Sequence, residues 1–224
     1  MSTPATIKID FVSDISCPWC AIGLAALEAA MQRINPPPQI QLHFQPFELN
    51  PAMPKGGQDI TEHLTEKYGS TPRQQVQIRE TIRQRGAALG FEFRPAGRDR
   101  IYNTFDAHRL LHWAGLPENG AGGQQHALKK NLLAAYFTHG QSPESHAILL
   151  DAAKAAGLNV DRAQAILSSN EFTDEVGERQ RFYTSAGIHS VPAVILNDQF
   201  LISGGQPVEV FENALRQVLA PLDL

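Results

Sequence analysis

The feature that most constrains the fold is a cysteine pair at the boundary between a predicted strand and a predicted helix. The pair lies in Cys17-Pro18-Trp19-Cys20 and contains both cysteines of the 224-residue chain. Residues 7–12 alternate in hydrophobicity, which predicts a buried strand, and residues 21–31 have apolar residues at helical spacing. A chain with this order brings its first cysteine to the N-terminus of a helix, beside the end of a strand.

This position favours a reactive thiolate at Cys17. If Cys17 is the N-cap, Pro18 takes the first helical position, where its missing N–H costs nothing. The backbone N–H groups of the first turn and the positive end of the helix dipole then both stabilise a negatively charged sulfur. Cys20 lies one turn along the same face, at roughly 5–6 Å between β-carbons, so a small tightening of the turn closes a disulfide. We therefore predict that Cys17 attacks and that Cys20 resolves.

Three other interpretations of the cysteine pair are less favoured. A structural disulfide that closes so short a loop would stabilise the fold by only about 2 kcal/mol on the chain-entropy estimate. A zinc site needs two further ligands, and the sequence has no second cysteine pair to supply them. A haem attachment site needs a histidine after the second cysteine, where the chain has Ala21.

Composition and charge exclude several classes of partner. The chain has 19 basic and 23 acidic residues, a net charge of −4, with no basic run, so we expect neither nucleic acid nor an anionic membrane as partner. No stretch approaches the ~18 apolar residues that span a bilayer. Residues 1–6 lack the basic and apolar regions of a signal peptide. If the first residue is the native start, we expect a cytoplasmic protein, in which a cysteine pair is more often catalytic than structural.

Local patterns indicate a sheet at both ends of the chain. A strand at 40–47 follows the first helix, so strand, helix and strand form a βαβ unit with parallel strands. Near the other end, strands at 193–196 and 200–203 predict a hairpin, and an amphipathic helix follows them. We expect the strand at 193–196 to pair with the strand at 7–12 in a single sheet.

Between these parts the hydrophobic pattern is helical, and a Pro/Gly-rich loop at 49–57 marks the boundary. The predicted helices cover 59–68, 72–89, 103–114, 122–139, 143–156, 160–169 and 172–186. The prediction is an α/β fold with a discontinuous sheet domain at 1–55 and 187–224 and an inserted helical domain at 56–186.

Several sequence segments occur in the order that is typical of one family. They are Ser13–Gly23, Pro46–Pro51, Asn103–Leu110, Ala135–Phe137, Ser190–Pro192 and Ser203–Pro207. Together they make the chain resemble the DsbA family of oxidoreductases, and within it the FrnE-like branch, which is related to 2-hydroxychromene-2-carboxylate isomerases. The resemblance implies a thioredoxin-like fold interrupted by an all-helical insertion that lies over the redox site.

The resemblance also implies roles for residues outside the cysteine pair. Pro192 would be the cis-proline that faces the cysteines, although from the sequence alone a proline at the start of an ordinary strand is allowed. Its loop would let the backbone of Val191 pair with an extended substrate segment beside Cys17. His108 would line the cleft between the helical block and the redox site. Trp19, inside the motif, is expected to be partly exposed and to offer substrates an apolar contact.

The same helix carries a histidine pair with the spacing of metal ligands. His108 and His112 are four residues apart and so share one helical face. However, Arg109 stands where a zinc-binding helix of this type has Glu, so we predict no metal site.

These observations predict a thiol–disulfide oxidoreductase in which Cys17 is the nucleophile and Cys20 the resolving thiol. Its partners would be protein or small-molecule thiols and disulfides, with no tightly bound cofactor and with glutathione as a candidate redox partner. Two other classes stay open. One is a glutathione-dependent isomerase or transferase of the 2-hydroxychromene-2-carboxylate isomerase or kappa-class type, whose members have Ser where Cys17 stands; the other is a binding module or chaperone with an unreactive pair. The reduction potential sets the direction of the reaction and cannot be read from the sequence.

Overall fold

The computed structural model of the chain describes residues 6–119 and 123–220. Residues 1–5, on which the signal-peptide argument depends, lie outside the described residues, as do the predicted helix start at 122 and the last residues of the predicted sheet domain, 221–224. The strands are β1 (Thr6–Ser13), β2 (Gln39–Pro46), β3 (Gln58–Asp59), β4 (Arg100–Ile101), β5 (Ala193–Leu196) and β6 (Phe200–Ser203). The helices are α1 (Pro18–Gln32), α2 (Ile60–Tyr68), α3 (Pro72–Ala88), α4 (Phe105–Ala114), α5 (Gly123–Phe137), α6 (His146–Ala155), α7 (Val160–Leu167), α8 (Thr173–Ser185) and α9 (Val208–Leu219).

A four-stranded sheet in the order β2-β1-β5-β6 forms the centre of the fold. β1 pairs in parallel with β2, and the predicted pairing of the strand at 193–196 with the first strand is confirmed, because β5 runs antiparallel to β1 with Phe11 opposite Val194. β5 and β6 form the predicted hairpin. The result is the thioredoxin-like fold that the sequence predicted. Among the described helices, none is long and apolar enough to cross a membrane.

The segment between β2 and β5 is helical apart from one short ribbon. β3 and β4 pair antiparallel, with Gln58 opposite Ile101. The prediction of an all-helical insertion missed this ribbon, because two-residue strands are too short to show alternation. Helices α4 to α7 and Ile15 share an apolar cluster of their own.

Helix α5 ties the helical segment to the sheet. Gln125 accepts a hydrogen bond from the backbone N–H of Phe44 at 3.0 Å and donates one to the Phe44 carbonyl at 3.1 Å, so its amide covers the edge of β2. Leu133 and Tyr136 of the same helix belong to the apolar cluster that contains both cysteines. The predicted division into domains at 1–55 with 187–224 and at 56–186 stays a prediction.

Candidate active site

The structure has Cys17 at the N-terminus of α1, as the sequence predicted. Its backbone is extended, with φ −94° and ψ 112°, and Pro18 takes the first helical position. The side chain makes no regular capping hydrogen bond; its thiol donates instead to the Val191 carbonyl oxygen, at 3.5 Å from Sγ. Cys17 is only 4% exposed, so its sulfur lies just beneath the protein surface.

The surroundings lower the pKa of Cys17. The largest cause is a hydrogen bond from the Cys20 thiol, and the first-turn N–H groups of Cys20 and Trp19 add to it when the sulfur is ionised. Burial and the negative charge of Asp14 act in the opposite direction but are outweighed. The helix N-terminus therefore favours the thiolate, as its position in the sequence indicated.

Cys20 has the opposite character. Its side chain is completely buried, and its pKa is raised well above the ordinary value, first by burial and then by the neighbouring Cys17 sulfur. Both cysteines are free thiols in this structure. The pair therefore combines an ionisable sulfur at the helix mouth with a protonated, shielded sulfur one turn further in.

The loop before β5 packs directly against the first turns of α1. The Val191–Pro192 peptide bond is cis, and the Pro192 carbonyl accepts a hydrogen bond from Gly204 N at 2.7 Å. A β-carbon at Gly23 would lie 3.0 Å from Pro192 Cγ, and one at Gly205 would lie 2.9 Å from the Trp19 carbonyl oxygen. Gly205 thus allows a backbone approach that a side chain would prevent, and Gly23 leaves room for the Pro192 ring.

Two arginines from the helical segment reach the cysteine motif. Arg85 of α3 donates to the Gly205 carbonyl at 2.6 Å and lies 5.2 Å above the ring of Trp19, which is half-buried. Arg98 donates to the Ser16 carbonyl at 2.6 Å, directly before Cys17. The helical segment therefore contacts the redox site, and nothing in the local sequence around either arginine indicated this contact.

Tyr68, at the end of α2, presents an exposed aromatic ring. Its side chain is 58% exposed. Burial of part of the ring and then the negative charge of Cys17 raise the pKa of its phenol.

A buried carboxylate supports the loop between β1 and α1. Asp14 is 1% exposed and accepts hydrogen bonds from Ser16 N and Oγ (3.1 and 2.7 Å), Leu49 N (2.7 Å) and Thr104 Oγ1 (2.8 Å). His108 Nε2 lies 3.5 Å from its Oδ1. Burial alone would raise the pKa of Asp14, but His108 and these donors hold it well below its usual range. His108 is 2% exposed and lies behind this loop, and its predicted place in a cleft between the helical block and the redox site stays a prediction.

A small cavity of about 150 Å³ lies between the edge of β2 and helices α4, α5 and α8. It is lined by His43, Phe44, Gln45, Pro46, His108, Leu111, His112, Gly115, Leu116, Gln125, Lys129 and Arg179. Lys129 is completely buried, and its Nζ has no hydrogen-bond partner among the described residues. Burial lowers the pKa of Lys129 to about 8, against the opposing effects of Cys20, Asp14 and Cys17.

The histidines at this cavity do not form a metal site with their neighbours. In the part of the chain that the structure describes, no group of three or more histidine, cysteine or carboxylate side chains is arranged to hold a metal ion. His112 instead packs against Phe172, with ring centroids 5.2 Å apart.

The structure brings together the predicted Cys17, Cys20, Trp19, Val191 and Pro192, whereas most of the residues that support them were not predicted. Asp14 lies inside a segment already matched to the family, so its position was a usable signal. Lys129 gave none, because a lysine beside Lys130 is typical of a solvated helix face.

Comparisons with known proteins agree with this geometry. A family model described as a DSBA-like thioredoxin domain matches residues 8–216. The crystal structure of a probable DsbA oxidoreductase, SCO1869 from Streptomyces coelicolor, is 32% identical, with a TM-score of 0.86 over 97% of this chain and 93% of that one. Two structures share the fold at lower identity. A 2-hydroxychromene-2-carboxylate isomerase is 15% identical, with a TM-score of 0.69 over 94% of this chain and 95% of that one. The cytosolic disulfide reductase DsbM from Pseudomonas aeruginosa with GSH is 16% identical, with a TM-score of 0.62 over 95% of this chain and 98% of that one.

Proposed function

The chain belongs to the DSBA-like thioredoxin domain family, and on this basis we propose that it is a thiol–disulfide oxidoreductase that uses Cys17 and Cys20 as its dithiol pair. The observation that most supports the proposal is the asymmetry of the two sulfurs. The pKa of Cys17 is lowered at the helix N-terminus, while that of the buried Cys20 is raised. An attacking thiol must be ionised at working pH, whereas a resolving thiol must stay inactive until the first bond has formed.

The proposed reaction has two exchange steps. The Cys17 thiolate attacks a disulfide of the partner, which gives a mixed disulfide and releases one partner sulfur as a thiolate. Cys20 then attacks the Cys17 sulfur, forms the Cys17–Cys20 disulfide and releases the second partner sulfur. The two protein cysteines are oxidised and the partner is reduced, and the reverse sequence oxidises a partner dithiol.

In this proposal the substrate lies over Cys17, against the loop that contains Val191 and Pro192. The Val191 carbonyl is 3.5 Å from the Cys17 sulfur, so the backbone beside the cis-Pro192 is within reach of an extended substrate segment. Trp19 and the exposed ring of Tyr68 would supply apolar contacts to that segment. His108 would act from behind the loop, through Asp14, rather than by touching substrate.

The partners in this proposal are thiols and disulfides of proteins or small molecules, and glutathione is a candidate electron donor. The DsbM structure with GSH supports glutathione as a partner for this fold. The cytoplasmic location and the assignment to the FrnE-like branch stay predictions.

A pair of serine variants tests the proposal. Cys20→Ser should keep the attack but lose the release, so it should accumulate mixed disulfides that a reductant frees. Cys17→Ser should trap nothing and lose activity, while its hydroxyl still suits the N-cap. Non-reducing gels, with an insulin-reduction assay as the activity readout, measure both.

The glutathione-dependent isomerase predicts the reverse pattern. In that case Cys17→Ser would retain much of an isomerase activity measured with glutathione, and Cys20→Ser would trap no partner. If this pattern appears, the oxidoreductase proposal is wrong. If neither variant traps a partner and the wild type shows neither activity, an unreactive binding module becomes the better description.

A further inference from the structure

We propose that Lys129 is the counter-charge for the thiolate that forms on Cys20 when the mixed disulfide is released. The inference rests on the proposed function, since it concerns the second exchange step. In this proposal Lys129, a residue of the helical segment, does not touch substrate. It is a positioning residue, whose positive charge stabilises the Cys20 thiolate.

The first argument is the placement of Lys129 on α5. One turn before it, Gln125 is bonded to β2, and one turn after it, Leu133 packs in the apolar cluster that contains Cys17 and Cys20. The Lys129 side chain lines the cavity between α5 and β2, and none of it is exposed. A lysine so deep in a core is costly unless something pairs with its charge.

The second argument is the shortage of a permanent partner. Lys129 Nζ makes no hydrogen bond to any described residue and lies 6.0 Å from the centroid of the Phe44 ring. The ionisable side chains that line the cavity beside it are all basic, and no carboxylate is among them: His43 of β2, His108 and His112 of α4, and Arg179 of α8.

The negative groups that face Lys129 are few. On α1, Glu28 is already engaged by His126 and Lys130 of α5. Asp14 is satisfied by donors from its own loop, from residue 49 and from Thr104. The Asp14 charge still favours the Lys129 ammonium, and so does Cys17, but Cys20 has the largest effect of the three.

The third argument is that Cys20 must ionise in a buried position. Its sulfur is completely buried, and burial opposes its ionisation, yet it must become a thiolate to attack. In the mixed disulfide the Cys17 sulfur is bonded and neutral. Lys129 then supplies the nearby positive charge that favours ionisation of Cys20.

The proposed step balances as follows. The Cys20 thiol gives up its proton to solvent water. The Cys20 thiolate, held opposite the Lys129 ammonium, attacks Cys17 Sγ. The Cys17–Cys20 bond forms, the bond from Cys17 to the partner breaks, and the partner leaves as a thiolate. In the reverse direction Lys129 stabilises Cys20 as the leaving group.

A chromogenic disulfide, 5,5′-dithiobis(2-nitrobenzoate), separates the two steps in one trace. The reduced protein mixed with one equivalent should release one thionitrobenzoate when Cys17 attacks and a second when Cys20 resolves. In Lys129→Met the first phase should stay within about twofold of wild type. The second phase should be slower at pH 7, because a higher pKa leaves less of Cys20 as thiolate. Each unit of pKa lowers the thiolate fraction about tenfold, but the remaining thiolate is more nucleophilic, so the net slowing is at least about threefold per unit. Its pH midpoint should move upward.

Matched variants control this experiment. Lys130→Met removes the next lysine, which is surface-exposed and pairs with Glu28, and should change neither phase. Lys129→Arg keeps the charge and should restore most of the second phase, and Lys129→Gln gives a second neutral variant if the methionine variant does not fold. A second phase with wild-type rate and pH midpoint in a folded neutral variant would overturn the inference. A wild-type protein that releases only one equivalent would instead contradict the proposed function.

Discussion

Two buried cations of the helical segment have opposite surroundings. Arg109 of α4 is 4% exposed, and its guanidinium donates to Asp106 Oδ1 and to the carbonyls of Ile166, Ser169 and Glu171 at 2.5–2.8 Å. Lys129 of α5 is completely buried and donates to no described residue. One cation links α4 to the end of α7 and the turn after it, whereas the other lines the cavity between α5 and β2.

This difference distinguishes a buried charge that stabilises the fold from one that has no hydrogen-bond partner in the fold. A buried ion whose donors are all used contributes to the fold and has nothing left for a reaction. A buried ion without partners costs stability, and such a cost is typical of a site where the charge is needed at another moment. The contrast predicts that removing the two charges has opposite effects on the free energy of unfolding.

The largest expected effect is on Arg109. Arg109→Met should lower the free energy of unfolding by about 3–5 kcal/mol, because it leaves Asp106 and several buried carbonyls without their donor. Urea denaturation measures the change. Arg162→Met, at a partly exposed ion pair with Glu171, is the control and should cost about 1 kcal/mol or less. Equal losses in the two variants would mean that Arg109 is not the structural link described above.

The second prediction concerns the stability of Lys129→Met and its pH dependence. The folded pKa of Lys129, about 8, lies below the ordinary value of 10.5, so its charge opposes folding below pH 8, and this cost disappears as the pH rises toward 10.5. The methionine variant should therefore be more stable than wild type at pH 7, by up to about 3 kcal/mol, and the gap should close at alkaline pH.

Urea denaturation at pH 7 and pH 10 tests this on proteins in which both cysteines are serine, since the thiols titrate in the same window. Lys130→Met, which loses only a surface ion pair with Glu28, should show no such gap. A less stable Lys129→Met protein at pH 7 would mean that the lysine has a stabilising partner after all.

The smallest expected effect is at Asp14, the carboxylate nearest the redox loop. Asp14→Asn should cost about 1–3 kcal/mol at pH 7, because the amide cannot accept all the hydrogen bonds that the carboxylate receives. The folded pKa of Asp14 is depressed, so its contribution is present above the unfolded value near ~4 and is lost as the pH falls below it.

The difference between wild type and Asp14→Asn should therefore shrink between pH 5 and pH 2 in acid denaturation. The same variant removes a negative charge that raises the pKa of Cys17, so alkylation of Cys17 should titrate at lower pH. If the difference in the free energy of unfolding does not change with pH, the loop does not favour the ionised form of Asp14, and the prediction is wrong.

Local signals in the sequence were sufficient for most of the fold. The strands at 193–196 and 200–203 have the predicted bounds, because an apolar run and the Asn197-Asp198 turn, both residues of which adopt positive φ, are encoded within a few residues. The N-cap position of Cys17 was equally local, since Pro18 and the apolar spacing after it determine where the helix begins. The β3–β4 ribbon was not, since its pairing joins residues far apart in the chain.

The sequence by itself therefore determined the elements, the cysteine motif and the end of the helix where its chemistry takes place. Only the tertiary structure decided what surrounds that chemistry. Adjacent helical residues point about 100° apart, so nothing local shows that Lys129 faces the core while Lys130 faces solvent. The charge that a buried sulfur experiences is a sum over groups from separate elements, here Asp14, Cys17 and Lys129, and folding alone brings those groups together.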